Sequence, residues 1–373
     1  MKFIFTCGGT AGHINPALAV ALRLKEDLPS TEFLFIGADG MMEMDLIPRE
    51  GYEIRGLHIT NISRERSFKG LAHNIDTIKN VISSTREAKR IISEFKPDVV
   101  IGTGGYVCYP VISAAHQLGI PTVIHESNAG PGLTTKMLSK KVDKILVGVE
   151  GCAHQYSNPD KVVVTGTPVR GAFSLYTKES AREELGIDAN ITMVLSIWGS
   201  LGAQYMNDTV VDMIPLLGDI QNLMFVHATG KRYYESFIRE LDEKCPDYKA
   251  KGVDIYEYIH DMPRLMSAAD LIICRAGAST LSELCFMGKP AILIPSPNVT
   301  DNHQEKNARV LEAIGGAKVI LENEISPQRL HDDIKSLISD SDTLDEMAAN
   351  MRKMAFYNSA EQIANEIMAL TGR

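Results

Sequence analysis

The chain has 373 residues, is 45% hydrophobic and 23% charged, and carries a formal net charge of −9. That length accommodates two domains with a core each, and the acidic balance argues against wholesale nucleic-acid binding. No apolar run approaches the roughly 18 residues of a membrane-spanning helix, so any membrane contact is expected to be peripheral.

The charge is unevenly placed. Residues 1–167 hold 18 Lys+Arg against 17 Asp+Glu, and the remainder holds 20 against 30. A near-neutral half beside an acidic one fits the approach of one domain to an anionic surface; simple drift in surface composition fits as well. The six cysteines (Cys7, Cys108, Cys152, Cys245, Cys274, Cys285) form no CxxC pair and no zinc spacing. Buried, reduced thiols in a cytoplasmic protein are expected. The sequence passes from Met1-Lys2 straight into an apolar run, so no secretory leader is expected.

Taken in order, short β-branched runs alternate with longer helical stretches, the pattern of parallel sheets with helical crossovers. The first half reads as strands at 2–6, 32–36, 99–102, 122–125 and 144–147, with helices such as 15–28 and 110–118, and closes with a short strand at 162–165. Gly166-Thr167-Pro168-Val169-Arg170 then reads as a crossing between domains. The second half restarts with a strand at 192–197, followed by strands at 222–226, 253–257, 271–274, 291–294 and 317–320. Helices are expected at 206–217, 233–244, 280–287, 303–314 and 327–338, and one or two more in the tail, about 345–370. Both halves begin as strand, glycine turn, helix.

The first glycine turn, Gly8-Gly9-Thr10-Ala11-Gly12-His13, follows Phe3-Ile4-Phe5. A strand-to-helix junction gathers free backbone N–H groups and a positive helix end, which suits a phosphate. The spacing is GGxxG and not the dinucleotide GxGxxG, and Asp39 lies later than that fingerprint's acid, so NAD is weakly supported. His13, just past the turn, is a candidate to accept a hydroxyl proton; a structural histidine is the alternative. Gly102-Thr103-Gly104-Gly105-Tyr106 makes another small-residue gap. His125-Glu126-Ser127-Asn128 ends a strand, but no second histidine follows at metalloprotease spacing.

The second turn, Arg275-Ala276-Gly277-Ala278-Ser279-Thr280, follows Leu271-Ile272-Ile273-Cys274. Ser279 and Thr280 are placed to cap the next helix or to hold phosphate oxygens. Glu283, about a turn on, could accept both ribose hydroxyls; Thr280-Leu281-Ser282-Glu283 also fits a capping box. Amides in the segment 301–307 could read sugar hydroxyls, or form a plain polar helix start. A third turn, Trp198-Gly199-Ser200-Leu201-Gly202-Ala203, opens the second half. No Asp-x-Asp pair offers itself to a nucleotide-bound divalent ion, so a reaction without metal or cofactor is expected.

Residues 60–95 carry Arg64, Arg66, Lys69, Lys79, Arg86, Lys89 and Arg90 against Glu65, Asp76, Glu87 and Glu94. Leu71, Ile75, Ile78 and Ile82 fall on one helical stripe, and Lys136, Lys140, Lys141 and Lys144 add a second basic cluster. A basic-edged apolar stripe can lie on an anionic bilayer; it can also face the core with a solvated back.

In order along the chain, 8–16, Gly104-Gly105-Tyr106-Val107, His125–Asn128, 166–170, 199–203 and 274–283 resemble the MurG family of peptidoglycan-synthesis glycosyltransferases over nearly the whole length. The resemblance implies a GT-B fold, two doubly wound parallel-sheet α/β domains facing a central cleft. Residues 1–167 would form an acceptor- and membrane-binding domain and 168–350 a UDP-sugar domain, with a helix in 351–373 crossing back to the first. It implies inverting, metal-independent transfer of N-acetylglucosamine (GlcNAc) from UDP-GlcNAc to the 4-hydroxyl of undecaprenyl-pyrophosphoryl-linked N-acetylmuramyl-pentapeptide, by a peripheral protein at the cytoplasmic face of the cell membrane. A glycolipid synthase acting on diacylglycerol, a sugar-nucleotide epimerase and a non-catalytic sugar-nucleotide binder are the alternatives.

Carried over by position, Arg170 and the backbone at Ile259 would contact uracil. Ser200 and the turn of Gly277, Ala278, Ser279 and Thr280 would hold the diphosphate, and Glu283 the ribose. Gln304, Asn128, Thr10, Ala11 and Gly12 would place the GlcNAc, with Gly104, Gly105 and Tyr106 on the acceptor side and His13 as the base. Two residues depart from the family pattern. Ala11 replaces a usual glycine and is tolerated only at negative φ. Trp198 stands where glycine usually precedes Gly199-Ser200, and could narrow the cleft, stack on a ligand or fill a gap.

Overall fold

Short runs rich in Val, Ile and Phe become strands because their branched and aromatic side chains pack on a pleated surface, and parallel pairing buries them on both faces. A computed structural model describes residues 1–59, 68–199 and 202–372, without the side chains of 68–76, 78, 79 and 300. These residues divide into two compact units, Met1–Arg170 with Phe356–Arg373, and Gly171–Ala355. The expected boundaries at 167/168 and 350/351 lie slightly upstream of these.

The first unit runs β1 (Lys2–Cys7), α1 (Ala11–Asp27), β2 (Glu32–Ala38), α2 (Glu43–Arg49), β3 (Glu53–Leu57), α3 (Phe68–Phe95), β4 (Val99–Gly104), α4 (Cys108–Gln117), β5 (Thr122–Glu126), α5 (Leu133–Leu138), β6 (Lys144–Val147) and β7 (Val162–Val164). Its strands form one parallel sheet in the order β3-β2-β1-β4-β5-β6-β7. Alternation along β1 sends Phe3, Phe5 and Cys7 to one face, against Ile14, Ala17, Val20 and Leu24 of α1. Ile4 faces the other way, with Ile91 and Ile92 of α3 and Val111 and Ile112 of α4.

The second unit runs α6 (Lys178–Leu185), β8 (Thr192–Ile197), α7 (Gln204–Met213), β9 (Leu223–Ala228), α8 (Tyr234–Lys244), β10 (Val253–Tyr256), α9 (Met262–Ala268), β11 (Leu271–Cys274), α10 (Ala278–Met287), β12 (Ala291–Leu293), α11 (His303–Ala313), β13 (Ala317–Val319), α12 (Pro327–Ile338) and α13 (Ser341–Lys353). Its parallel sheet has the order β10-β9-β8-β11-β12-β13. The last helix, α14 (Ser359–Ala369), packs on α1 of the first unit through Ile363, Ala364 and Ile367.

Several elements differ from their expected bounds. Helix α1 starts at Ala11 and not at residue 15, with Pro16 inside it, and α10 starts at Ala278 and not at residue 280. Helices α2, α6 and α9 and strand β3 were not foreseen; each is eight residues or fewer, too short to show a clear period. All six cysteines are free and buried.

Candidate functional site

In each sheet the strand order reverses once, and the glycine turns gather there. In the first, β1 and β4 are neighbours whose onward connections run to opposite edges, so Gly8–Gly9 and Gly104–Gly105 meet at their carboxyl ends. Such a switch point opens a crevice that open α/β sheets use for ligands. Gly8 N–H donates to the Gly104 carbonyl at 3.2 Å. Gly104 and Gly105 sit at φ +122° and +92°, and a Cβ on Gly105 would come 2.5 Å from the Gly8 oxygen. Only glycine serves at that approach.

His13 stands in the first turn of α1, half-buried. Its Nδ1 lies 2.8 Å from the Gly8 carbonyl oxygen, and its own carbonyl accepts from Thr103 Oγ1 at 2.7 Å. A carbonyl only accepts, so Nδ1 carries a proton, and in the neutral ring Nε2 is the bare nitrogen. Among the described residues Nε2 makes no hydrogen bond. Thr10 is the N-cap of α1 with no side-chain cap, and Ala11 and Gly12 are the first helical residues. The positive φ of this turn is at Gly9; Ala11 is not at positive φ, so its methyl costs no backbone strain there.

On β5, His125 is buried, with Nε2 donating to the Gly166 carbonyl at 2.9 Å; burial pushes its pKa down. Glu126 is buried too. Its oxygens accept from Asn128 Nδ2 at 2.8 Å and Asn128 N–H at 3.2 Å, and from Gly132 N–H at 2.9 Å and Thr135 Oγ1 at 2.8 Å. Glu126 thereby shapes the loop that carries Asn128. Tyr106 is half-buried against the core, and burial followed by the charge of Glu43 pushes its hydroxyl pKa up. Arg170 is exposed and ends the first segment of this unit, although it was expected in the UDP-sugar domain.

In the second unit the switch point lies between β8 and β11. The Arg275–Thr280 turn leaves β11 there, and Gly277 is the N-cap of α10 with no side-chain cap. Ser279 and Thr280 are therefore inside the helix, and the capping-box reading of Thr280 and Glu283 is corrected: Thr280 is not the cap. The three opening N–H groups, of Ala278, Ser279 and Thr280, have no acceptor within the helix, the setting that attracts phosphate. Glu283 follows, half-buried. Arg275 ties the neighbouring strand ends together, donating to the carbonyls of Ile294 at 3.1 Å and Pro295 at 3.3 Å and pairing with Glu322.

Gln304 opens α11 and its Oε1 accepts from Ser296 N–H at 2.9 Å, which turns the amide nitrogen to other partners. The two residues before α11, Asp301 and Asn302, both have positive φ, +54° and +49°. Two successive non-glycine residues there are strained, a condition that clusters at ligand sites. Ile259 is buried after β10. Ser200 lies outside the described residues. Trp198 is 4% exposed within the core of this unit, with Arg275 over its ring at 5.8 Å. It fills a gap.

Three residues escaped the sequence reading: Glu43, Glu126 in its loop-shaping role, and Arg275 as the clasp of the second turn. For Glu43 the only signal was its place, with Asp45, in the otherwise apolar run of Met41, Met42, Met44, Leu46 and Ile47.

Comparison with known proteins follows the two units. The model of the glycosyltransferase family 28 N-terminal domain matches residues 3–147, and that of the family 28 C-terminal domain matches residues 193–363. A protein of Acetivibrio thermocellus named UDP-N-acetylglucosamine–N-acetylmuramyl-(pentapeptide) pyrophosphoryl-undecaprenol N-acetylglucosamine transferase is 42% identical over 97% of this chain and 96% of its own length. A Bacillus cytotoxicus protein of the same name is 38% identical over 97% of both. The crystal structure of Acinetobacter baumannii MurG superposes with a TM-score of 0.76 at 27% identity, covering 99% of each chain. A Staphylococcus aureus MnaA–UDP structure has a TM-score of 0.70 at 16% identity, which speaks to the fold alone.

Proposed function

The chain belongs to glycosyltransferase family 28, and we propose that it transfers GlcNAc from UDP-GlcNAc to the 4-hydroxyl of undecaprenyl-pyrophosphoryl-N-acetylmuramyl-pentapeptide, inverting the anomeric carbon. The observation that carries this reading is the match, 42% and 41% identical over 97% and 100% of the chain, to relatives named for that transfer. The glycolipid-synthase and non-catalytic readings find no such support.

In the reaction, the acceptor hydroxyl attacks the anomeric carbon, the bond from that carbon to the diphosphate oxygen breaks, and UDP departs with the electron pair. The hydroxyl proton goes to Nε2 of His13, the nitrogen left bare by the Nδ1–H bond to Gly8. Developing charge on UDP is met by the start of α10 at Ala278, Ser279 and Thr280, with Ser200 beside them in the assignment by resemblance. Glu283 takes the ribose hydroxyls, and Arg170 and the Ile259 backbone the uracil. Gln304, Asn128, Thr10, Ala11 and Gly12 bind the sugar; Gly104, Gly105 and Tyr106 serve the acceptor.

The first unit is assigned the lipid acceptor and an anionic membrane surface. Among the described residues no helix is long and apolar enough to cross a membrane. Leu133 and Met137 lie a turn apart on α5 and are 54% and 45% exposed, beside exposed Lys136 and Lys140. Ile82 on α3 is 51% exposed. Arg64 and Arg66, and the side chains of Lys69, Leu71, Ile75, Ile78 and Lys79, lie outside the described residues. Lys144 pairs with Glu366, and Arg90 with Glu87 and Glu94, so these two cations are already neutralised.

The direct test is UDP release from UDP-GlcNAc with a short-chain muramyl-lipid acceptor. Release only with that acceptor is expected. Equal release with diacylglycerol, or conversion with no acceptor, overturns the reading. Flotation with anionic vesicles should weaken when Lys136 and Lys140 are neutralised.

A further inference from the structure

Glu43 opens α2 and is completely buried, 0% exposed. Among the described residues no Lys, Arg or His forms an ion pair with it. Its carboxylate is held by backbone N–H groups: Oε2 accepts from Gly9 at 3.1 Å and Oε1 from Ala38 at 3.0 Å. The turn is built around it. A Cβ on Gly8 would come 2.4 Å from Glu43 Oε1, and one on Gly37 would come 2.6 Å from its Cγ. A buried carboxylate is costly unless its oxygens are satisfied, so its presence asks for a purpose.

The Gly9 N–H and the Gly8 carbonyl are the two ends of one peptide group. The N–H end points to Glu43 and the carbonyl end accepts from Nδ1–H of His13 at 2.8 Å. Hydrogen bonds in series polarise one another. A carboxylate on the N–H end makes the carbonyl a stronger acceptor, which holds the proton on Nδ1.

We propose that Glu43 is a positioning residue that acts on His13 through this single peptide group, fixing the ring's orientation and the tautomer with Nε2 bare. The inference rests on the reading of His13 as the base, and its test separates the two. The side-chain 15N spectrum of the full-length wild-type protein should show His13 protonated at Nδ1 and bare at Nε2. The opposite tautomer in wild type overturns the proposal without any variant.

In Glu43→Gln the amide can accept only one of the two N–H donors, and the His13 signals should move toward a mixture of tautomers. Its kcat should fall by roughly 10- to 100-fold, the range seen when the outer hydrogen-bond partner of a metal-bound histidine is removed. KM for UDP-GlcNAc should stay within about twofold, and Glu43→Asp should recover part of the loss. An unchanged His13 spectrum in a folded Glu43→Gln protein overturns the relay. So does a Glu43→Gln effect that is undiminished in a His13→Ala background. If His13→Ala alone keeps near-wild-type turnover, the base assignment fails while the spectrum still reports on the relay.

Discussion

A Cβ on Gly104 would lie 2.4 Å from Cδ2 and 2.8 Å from Nε2 of His13. The glycine on β4 is thus the wall against which the imidazole of α1 rests. Gly104→Ala forces an L-residue to φ +122° as well as into the ring. It should cost about 1–3 kcal/mol of stability from backbone strain and displace Nε2. Turnover is expected to drop on the order of 100-fold, since an ångström of misplacement has that effect, while UDP binding by the second unit is retained. Steady-state kinetics beside a UDP titration check both halves.

Glu126 holds four donors of the segment 128–135 at 2.8–3.2 Å. Glu126→Ala should strand several of them and cost about 1–3 kcal/mol in a urea melt. Because Asn128 then loses two of its hydrogen bonds, KM for UDP-GlcNAc should rise more than kcat falls. A loss of stability with an unchanged KM would remove Asn128 from the donor sugar.

Among the described residues the Trp198 indole N–H has no hydrogen-bond partner, and it is buried in a core position. Trp198→Phe opens a small cavity but removes an unpaired donor, and the two effects oppose each other. Stability is expected to change by less than about 1 kcal/mol, and KM for UDP-GlcNAc by no more than a few-fold. A tenfold rise in KM would put the ring on the ligand.

Lys289 is buried, its ammonium donating to the carbonyls of Ser267 at 2.5 Å and Ala269 at 2.8 Å. Burial, then the nearby charge of Lys178, pushes its pKa from 10.5 down to about 7. Below about pH 7 both folded and unfolded chains hold this proton, and the folded state bears the full penalty. Above it the unfolded chain binds more protons, so folding should gain stability as pH rises, by up to about 1.4 kcal/mol per unit. Urea melts between pH 7 and 8.5 should show that slope in wild type and lose it in Lys289→Met. The comparison stops there because buried thiols such as Cys274 and Cys285, pushed up to about 12 mainly by burial, act in the opposite direction at higher pH.

The alternation of strands and helices, the two-part organisation and the glycine junctions were legible in the chain itself. Each is a local matter: β-branched runs pleat, periodic apolar residues coil, and a glycine turn joins them over a few residues. The motif 8–13 and the motif 275–280 were likewise visible before any fold was known. Short elements such as α2 and β3 were not, because seven or five residues carry too little periodicity to outweigh their polar flanks.

What needed the tertiary structure was the company each turn keeps. The sequence presented Gly8–Gly9 and Gly104–Gly105 as separate gaps; β1 lying beside β4 makes them one wall around His13. It offered Thr280 and Glu283 as a capping box beside the ribose reading; the helix starts at Ala278, with Gly277 as its N-cap. It presented Glu43 as an unremarked acid; the fold buries it against the peptide that holds His13. Local propensity acts over a turn or two of chain, whereas these contacts are set by strand order and burial across many residues, and no short window of sequence contains them.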